Sequence, residues 1–389
     1  MSKEIKEKES VQDRVQNEAK LSIENNGGRG LLAMCTGSGK SRIPIMYAKD
    51  KANNVKSMAI LVPTEILRDT GWKNEFKKWK ATTLYKKCDL FCYASASKIK
   101  GNKYDLVVMD EAHNISELSS EFFKNNEVRD IIALTATPPE KEEKQDLLQS
   151  LGLQTTYSLT LDEGINLGII SPIHIHLIYT KLETEKKTVR SGSEGSYFYQ
   201  TEEKAYKYHN DCVDYAYKTF NGQKIKFSVL NRTRFIYNLK SKELAAKEIL
   251  ELLEEERNLI FCGSVKQADS LSPHSFHYKS GKESLKMFID EEINELSCVQ
   301  SLNEGHNLPM IDNAIIAQLN SNALNLIQRI GRVCRWREGH EANVYLLVCE
   351  DTQDKIWAEK ALAGFNPENI TKYNNLKQFK NEFEANYRV

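Results

Sequence analysis

Cys35-Thr36-Gly37-Ser38-Gly39-Lys40-Ser41 follows the apolar run Gly30 to Met34 and precedes the helix-compatible stretch Arg42 to Lys49. Strand, glycine loop, helix is the order that a phosphate-binding loop requires. Gly37 and Gly39 can adopt backbone angles closed to other residues, so successive N–H groups turn inward and wrap a phosphate chain. The N-terminus of the following helix adds partial positive charge. In such a loop Lys40 reaches the β and γ phosphates and the Ser41 hydroxyl ligates magnesium. The usual spacing opens on a glycine where this chain has Met34, so the loop taken alone is a partial match.

A second stretch completes the reading. Asp110-Glu111-Ala112-His113 comes directly after the apolar run Leu106-Val107-Val108-Met109. An acidic pair at the C-terminal tip of a buried parallel strand lies at the ligand-binding edge of an open α/β sheet. There the first carboxylate can hold magnesium and the second can orient or deprotonate an attacking water. An acid pair after a strand is common by itself. Paired with a phosphate loop some seventy residues earlier, it points to nucleotide hydrolysis.

At 389 residues the chain is long for one core and suggests two domains with a small appendage. Lys+Arg and Asp+Glu both number 54, which excludes a general polyanion sponge and confines any nucleic-acid site to a local basic groove. The eight cysteines lack zinc-ligand spacing, consistent with small buried thiols in a reducing cytoplasm. His174 and His176 share one strand face, but no third ligand stands nearby, so an ordinary strand face is expected. No apolar run approaches the ~20 residues of a membrane span, and the charged start is no signal peptide.

Along the chain, residues 1–10 read as frayed and Val11 to Glu24 as an amphipathic helix. Short continuous apolar runs follow as strands at Gly30 to Met34, Ser57 to Val62, Asp89 to Tyr93, Leu106 to Met109 and Ile131 to Leu134. Helices separate them, including one from Pro63-Thr64 through Trp79, which is the pattern of a parallel sheet covered on both faces. From Glu140 to about Ile173, helices and a loop lead out of this domain. Ile173 to Tyr179 starts a new sheet, Lys181 to Gly195 is a charged loop, and residues 200–257 are helical. Strands resume at Leu259 to Cys262, Ser275 to Tyr278, Leu296 to Gln300, Ala314 to Ala317 and Val344 to Val348. The expected domains are 1–170, 171–351 and a helical tail at 352–389.

Leu326 to Arg335 places Arg332 and Arg335 three apart on one helical face, with Gln328 a turn earlier. Arginine supplied from a second domain to a phosphoryl group stabilises transition-state charge only on closure.

With these motifs in view, the chain resembles a superfamily 2 DEAH-type helicase or translocase, and among those the small phage-encoded members. Gln16 resembles the adenine-reading glutamine, although the aromatic residue often found beside it is absent. Ala33 to Ser41 resembles motif I, Leu61 to Glu65 motif Ia, Tyr93-Ala94-Ser95 motif Ib, Asp110 to His113 motif II and Leu134 to Pro138 motif III. Leu259 to Ser264 resembles motif IV, Leu302 to Pro309 motif V and Gln328 to Arg335 motif VI. Asn307 stands where many relatives carry aspartate, which implies an amide contact to the nucleotide.

The resemblance implies an α/β fold of two RecA-like domains, each a mostly parallel sheet flanked by helices, with a helical insertion and a C-terminal helical tail. It implies ATP and Mg2+ as cofactors, bound by Gln16, Thr36, Gly37, Ser38, Gly39, Lys40, Ser41, Asp110, Gly305 and Asn307, with Ser41 and Asp110 on the metal. Glu111, Gln328, Arg332 and Arg335 would be catalytic. His113, Thr135 and Thr137 would couple nucleotide state to the polymer, which Thr64, Ser95 and Ser264 would touch through phosphates. Trp72, Trp79 and Trp336 either stack on bases or belong to the core. The expected partner is single-stranded, forked or branched DNA, with RNA a further option, for a monomeric cytoplasmic protein. Two other readings share these motifs: a translocase that separates no strands, and a nucleotide-gated binding module without turnover.

Overall fold

The computed structural model describes residues 3–139, 141–299, 308, 310–319, 326, 330, 331 and 336–387. They fall into two compact units. The first runs to Pro172 and includes residues 336–340; the second begins at Ile173 and holds the rest.

In the first unit, strands β1 (Arg29–Met34), β2 (Met58–Val62), β3 (Cys88–Cys92), β4 (Lys103–Met109), β5 (Glu127–Thr135) and β6 (Thr155–Leu159) form one sheet in the order β3-β2-β4-β5-β1-β6. Every pairing is parallel. β2 is buried along its whole length and β4 over its last four residues, as expected for strands covered by helices on both faces. The core holds Leu61, Val107, Ile131 and Phe122.

Three local readings are corrected here. The opening helix spans Lys3–Asn25 rather than starting at Val11, because Lys and Glu fill every position of residues 3–9 except Ile5 and give helix-favouring pairs such as Glu4 with Lys8. The stretch after Pro63 is not one helix: a π-turn at Leu67–Gly71 precedes the helix Trp72–Lys78, with Gly71 at the join. β6, which in sequence reads as part of an exit path, is an edge strand beside β1. Its polar, half-exposed Thr-Thr-Tyr-Ser-Leu carries no apolar run to announce it.

The second unit is also an all-parallel sheet. It contains β7 (Ile173–Thr180), β10 (Asn258–Phe261), β11 (Ser275–Phe276), β12 (Glu295–Cys298), β13 (Asn313–Ile316), β14 (Ala342–Cys349) and β15 (Ile370–Tyr373), in the order β11-β12-β10-β13-β14-β7-β15. Between β7 and β10 the chain makes an antiparallel hairpin, β8 (Val189–Ser193) with β9 (Ser196–Gln200), and three helices, Glu202–Lys218, Gly222–Tyr237 and Lys240–Leu252. The expected loop thus contains β8, turned back through Glu194-Gly195.

The separate tail is likewise corrected. β15 extends the sheet beside β7, and Phe379 of the last helix, Leu376–Tyr387, is buried against Tyr345, Tyr373 and His176. Lys242 and Asp354, both wholly buried, pair at 2.6 Å and tie the helix Lys240–Leu252 to the helix Gln353–Leu362. His176 lies parallel to Tyr345, with ring centroids 4.7 Å apart. It also meets Tyr373 Oη at 3.1 Å and Asn343 Oδ1 at 3.2 Å, and burial pushes its pKa down to about 4.

Candidate functional site

Sheet order assembles the site. β5 lies between β1 and β4, with Ala33 opposite Thr135 and Met109 opposite Ala133. Parallel strands end on the same side, so the loop after β1, the acid pair after β4 and Thr135 to Thr137 after β5 emerge side by side, about 5 Å per strand.

The loop is held from beneath. Gly37 and Gly39 have φ of +85° and +78°, and a Cβ on Gly39 would fall 2.4 Å from Gln16 Nε2. Gln16 is fully buried. Its Nε2 donates to the carbonyls of Ser38 (3.0 Å) and Gly39 (3.2 Å), while Arg42 Nη1 donates to its Oε1 at 2.9 Å. Gln12 adds a bond to Ser38 O at 2.9 Å. Both ends of the Gln16 amide are therefore committed to the chain. In this structure Gln16 shapes the loop, and contact with a base would require these bonds to exchange.

Lys40 Nζ lies 3.4 Å from Glu111 Oε1. Burial pulls the lysine pKa down, but Glu111 and Asp110 outweigh it and hold the ammonium above the usual lysine value. Asp110 accepts from Trp72 Nε1 at Oδ2 (3.0 Å) and from the Glu111 N–H at Oδ1 (3.1 Å), and its carbonyl accepts from Tyr93 Oη at 3.0 Å. Glu111 sits in the left-handed region at φ 48°, ψ 57°. A non-glycine residue there stores roughly 1–3 kcal/mol of strain, and such residues cluster at functional sites.

Three buried oxygens around this edge, Thr36 Oγ1, Glu111 Oε2 and Thr137 Oγ1, have no hydrogen-bond partner, and Ser41 makes no side-chain cap to its own helix. Unpaired buried acceptors are costly. These groups, with an inward-turning glycine loop and a buried ammonium, fit a magnesium–triphosphate: Lys40 and the loop N–H groups would hold phosphate oxygens, Ser41 and Asp110 the metal.

His113 links the acid pair to β5. Asn114 Nδ2 lies 3.2 Å from His113 Nε2, His113 Nδ1 lies 3.1 Å from Thr135 Oγ1, and Thr135 Oγ1 donates to Thr137 O at 2.7 Å. An amide N–H pointing at Nε2 leaves the ring proton on Nδ1, so the donors run in one direction from Asn114 to Thr137. Burial lowers the His113 pKa, Lys144 and Lys40 add to that, and Glu111 opposes them. The ring is therefore neutral at physiological pH.

The three hydroxyls expected on nucleic acid are each engaged within the chain, and Ser264 Oγ also donates to Asn238 Oδ1. Thr64 Oγ1 accepts from Leu67 N (3.4 Å), Ser95 Oγ donates to Cys92 O (3.1 Å), and Ser264 caps the helix Val265–Leu271. Gly305, Asn307, Gln328, Arg332 and Arg335 lie outside the described residues. Of the tryptophans, Trp72 is buried on Asp110, Trp79 stacks under Arg42 at 4.1 Å, and Trp336 lies under Lys8 at 5.1 Å. The roles of Trp72 and Gln12 have no sequence signal, because each depends on which elements become neighbours.

Two family models match the chain: the type III restriction enzyme res subunit over residues 5–140 and the helicase conserved C-terminal domain over residues 241–337. No curated protein matches. Among solved structures, the Hef helicase domain of Pyrococcus furiosus is 14% identical with a TM-score of 0.51, covering 88% of this chain and 97% of that one. LlaBIII, an ATP-dependent type ISP restriction-modification enzyme bound to DNA, is 13% identical with a TM-score of 0.61 over 95% of this chain and 32% of that one. A putative HsdR subunit fragment of a type I restriction enzyme from Vibrio vulnificus is 17% identical with a TM-score of 0.58, covering 94% and 67%.

Proposed function

From a chain that belongs to the superfamily 2 helicases, nucleic-acid-dependent ATPases as a class, we propose an ATP-dependent DNA helicase that couples hydrolysis to translocation and to strand separation or branch migration. The convergence of Lys40, Asp110 and Glu111 at one sheet edge carries the hydrolytic part. In this reading Lys40 holds phosphate charge, Glu111 acts on water, and Arg332 and Arg335 complete the charge environment, with Gln328 placing the water. Bound magnesium would supply charge neutralisation between the phosphates. The chain from His113 to Thr137 would carry nucleotide state toward the polymer.

The choice of DNA draws on the Asp-Glu-Ala-His sequence at 110–113, the Gln-Arg-x-Gly-Arg-x-x-Arg pattern at 328–335 and the DNA-bound state of the LlaBIII structure. Translocation on duplex DNA without strand separation is the second reading, favoured by the match of residues 5–140 to a restriction-enzyme subunit.

The experiment measures ATPase rate with single-stranded, duplex and forked DNA and with matched RNA across a potassium chloride series, followed by strand displacement on the fork. Stimulation by the fork above RNA, with displacement, is the expected result. Equal or greater stimulation by RNA rejects the DNA assignment, and stimulation by DNA without displacement selects the second reading.

A further inference from the structure

Of the nine exposed aromatic rings among the described residues, eight lie between Tyr197 and Phe227, in the insertion between β7 and β10. The hairpin β8–β9 belongs to neither large sheet. Its Tyr197, Phe198 and Tyr199 are 50%, 55% and 59% exposed, and side chains alternate along a strand, so rings project from both faces of the ribbon. A two-stranded ribbon is at best marginally stable alone in water. Exposing three rings on one needs a reason.

Charge says what covers them. Residues 186–237 hold ten Lys and Arg against five Asp and Glu, in a chain where the two totals are equal. One of the five, Glu202, is buried and spent on the backbone N–H groups of Glu183, Lys240 and Ser241. The cations are interleaved with the rings. Arg190 stacks 3.5 Å from the Tyr197 ring centroid. On the helix Glu202–Lys218, Lys204, Tyr208, Asp211, Tyr215 and Lys218 fall at i, i+4, i+7, i+11 and i+14, one stripe with a cation towards each end and its two rings about 10 Å apart on either side of one acid. On the helix Gly222–Tyr237, which carries four cations and no acid, Lys224, Phe227 and Arg234 share a second stripe.

A protein-binding patch concentrates apolar surface and excludes lysine from its centre. This surface instead mixes rings with charges among which cations outnumber acids two to one, the composition of a platform on which successive bases stack while phosphates are neutralised. Rings need open base faces, which a duplex keeps stacked. We propose that residues 186–237 form a binding surface for single-stranded nucleic acid, outside the helicase motifs. The inference deepens the proposed function and rests on its nucleic-acid reading.

The test uses the full chain and a labelled thymidine strand of about 20 nucleotides, with its duplex as control, followed by fluorescence anisotropy across potassium chloride. Two triple variants remove rings: Tyr197→Ala/Phe198→Ala/Tyr199→Ala and Tyr208→Ala/Tyr215→Ala/Phe227→Ala. Each is expected to lose tenfold or more in single-strand affinity with an unchanged salt slope, since the rings are uncharged. Lys204→Ala/Lys218→Ala is expected to lower the slope by about 0.7 for each phosphate that is no longer neutralised. Because a variant can misfold, the wild-type chain is also photocrosslinked to a 4-thiothymidine strand, and adducts are expected within residues 186–237. Adducts only elsewhere, wild-type affinity in both ring variants, or a wild-type dimer that the ring variants dissociate would each overturn the inference while leaving the proposed function standing. Absence of oligonucleotide binding by the wild type would overturn both.

Discussion

Lys40 Nζ stands 3.4 Å from Glu111 Oε1, so the cation expected on phosphate and the acid expected on water neutralise one another across the sheet edge. Removing either deprives its buried partner of this direct ion pair. Lys40→Ala should abolish ATP turnover and weaken nucleotide binding. Glu111→Gln should retain bound nucleotide and block its hydrolysis. Nucleotide affinity and single-turnover hydrolysis, measured on both, separate the roles; Glu111→Gln hydrolysing at the wild-type rate would remove Glu111 from catalysis.

Arg332→Ala should lower turnover by roughly 10³ to 10⁵ while leaving ATP affinity nearly intact, the signature of charge stabilisation confined to the transition state. Arg335→Ala should act in the same direction, less strongly. A rise in the Michaelis constant with kcat unchanged would assign these arginines to ground-state binding instead.

Trp72 gives its indole N–H to Asp110 Oδ2 at 3.0 Å. Groups that orient a metal-binding carboxylate typically contribute 10- to 100-fold in metal affinity. Trp72→Phe keeps the packing against Phe76 and deletes only the donor. It should raise the magnesium concentration for half-maximal ATPase by about tenfold and weaken Mn2+ binding, read by electron paramagnetic resonance, to match. Overlaid metal titrations would show Trp72 to be packing alone.

His176 binds its proton far less readily folded, at about 4, than at the ordinary 6.5. Between those values the unfolded chain takes up more protons, so stability rises with pH from about 4 to 6.5 and is lost as pH falls through that window. The full span corresponds to roughly 3 kcal/mol. Urea unfolding at pH 7 and pH 4.5 should show the loss, and His176→Phe, which preserves the stack on Tyr345, should flatten it. His113, also lowered by burial, contributes with the same sign in the first unit.

The phosphate loop and acid pair are legible in the sequence because each encodes its chemistry within a few consecutive residues beside an apolar strand. β6, β8 and β15 are not, for a common reason: an edge or ribbon strand is half solvated, so Thr155 to Leu159 and Ile370 to Tyr373 need no continuous apolar run. Sequence singles out Gln16 but not its role, since its bonds to Ser38 and Gly39 depend on where the first helix docks. Trp72 reads equally as a base-stacking or a core side chain. Its hydrogen bond to Asp110 spans 38 positions of sequence, and only the fold brings the two together.

β7 lies between β14 and β15, which begin at Ala342 and Ile370. At a synthesis rate of about 5–20 residues per second, β7 leaves the ribosome on the order of ten seconds before its first neighbour exists. The first unit, by contrast, has all its sheet strands once Leu159 has emerged. The chain therefore matures in two beats: an early first unit, then a strand waiting unpaired for partners more than 150 residues later. During that interval β7 is a lone strand with open hydrogen-bonding groups on both sides, the kind of backbone that recruits foreign strands. A ribosome stalled before Ile370 would leave β7 uncovered on one side.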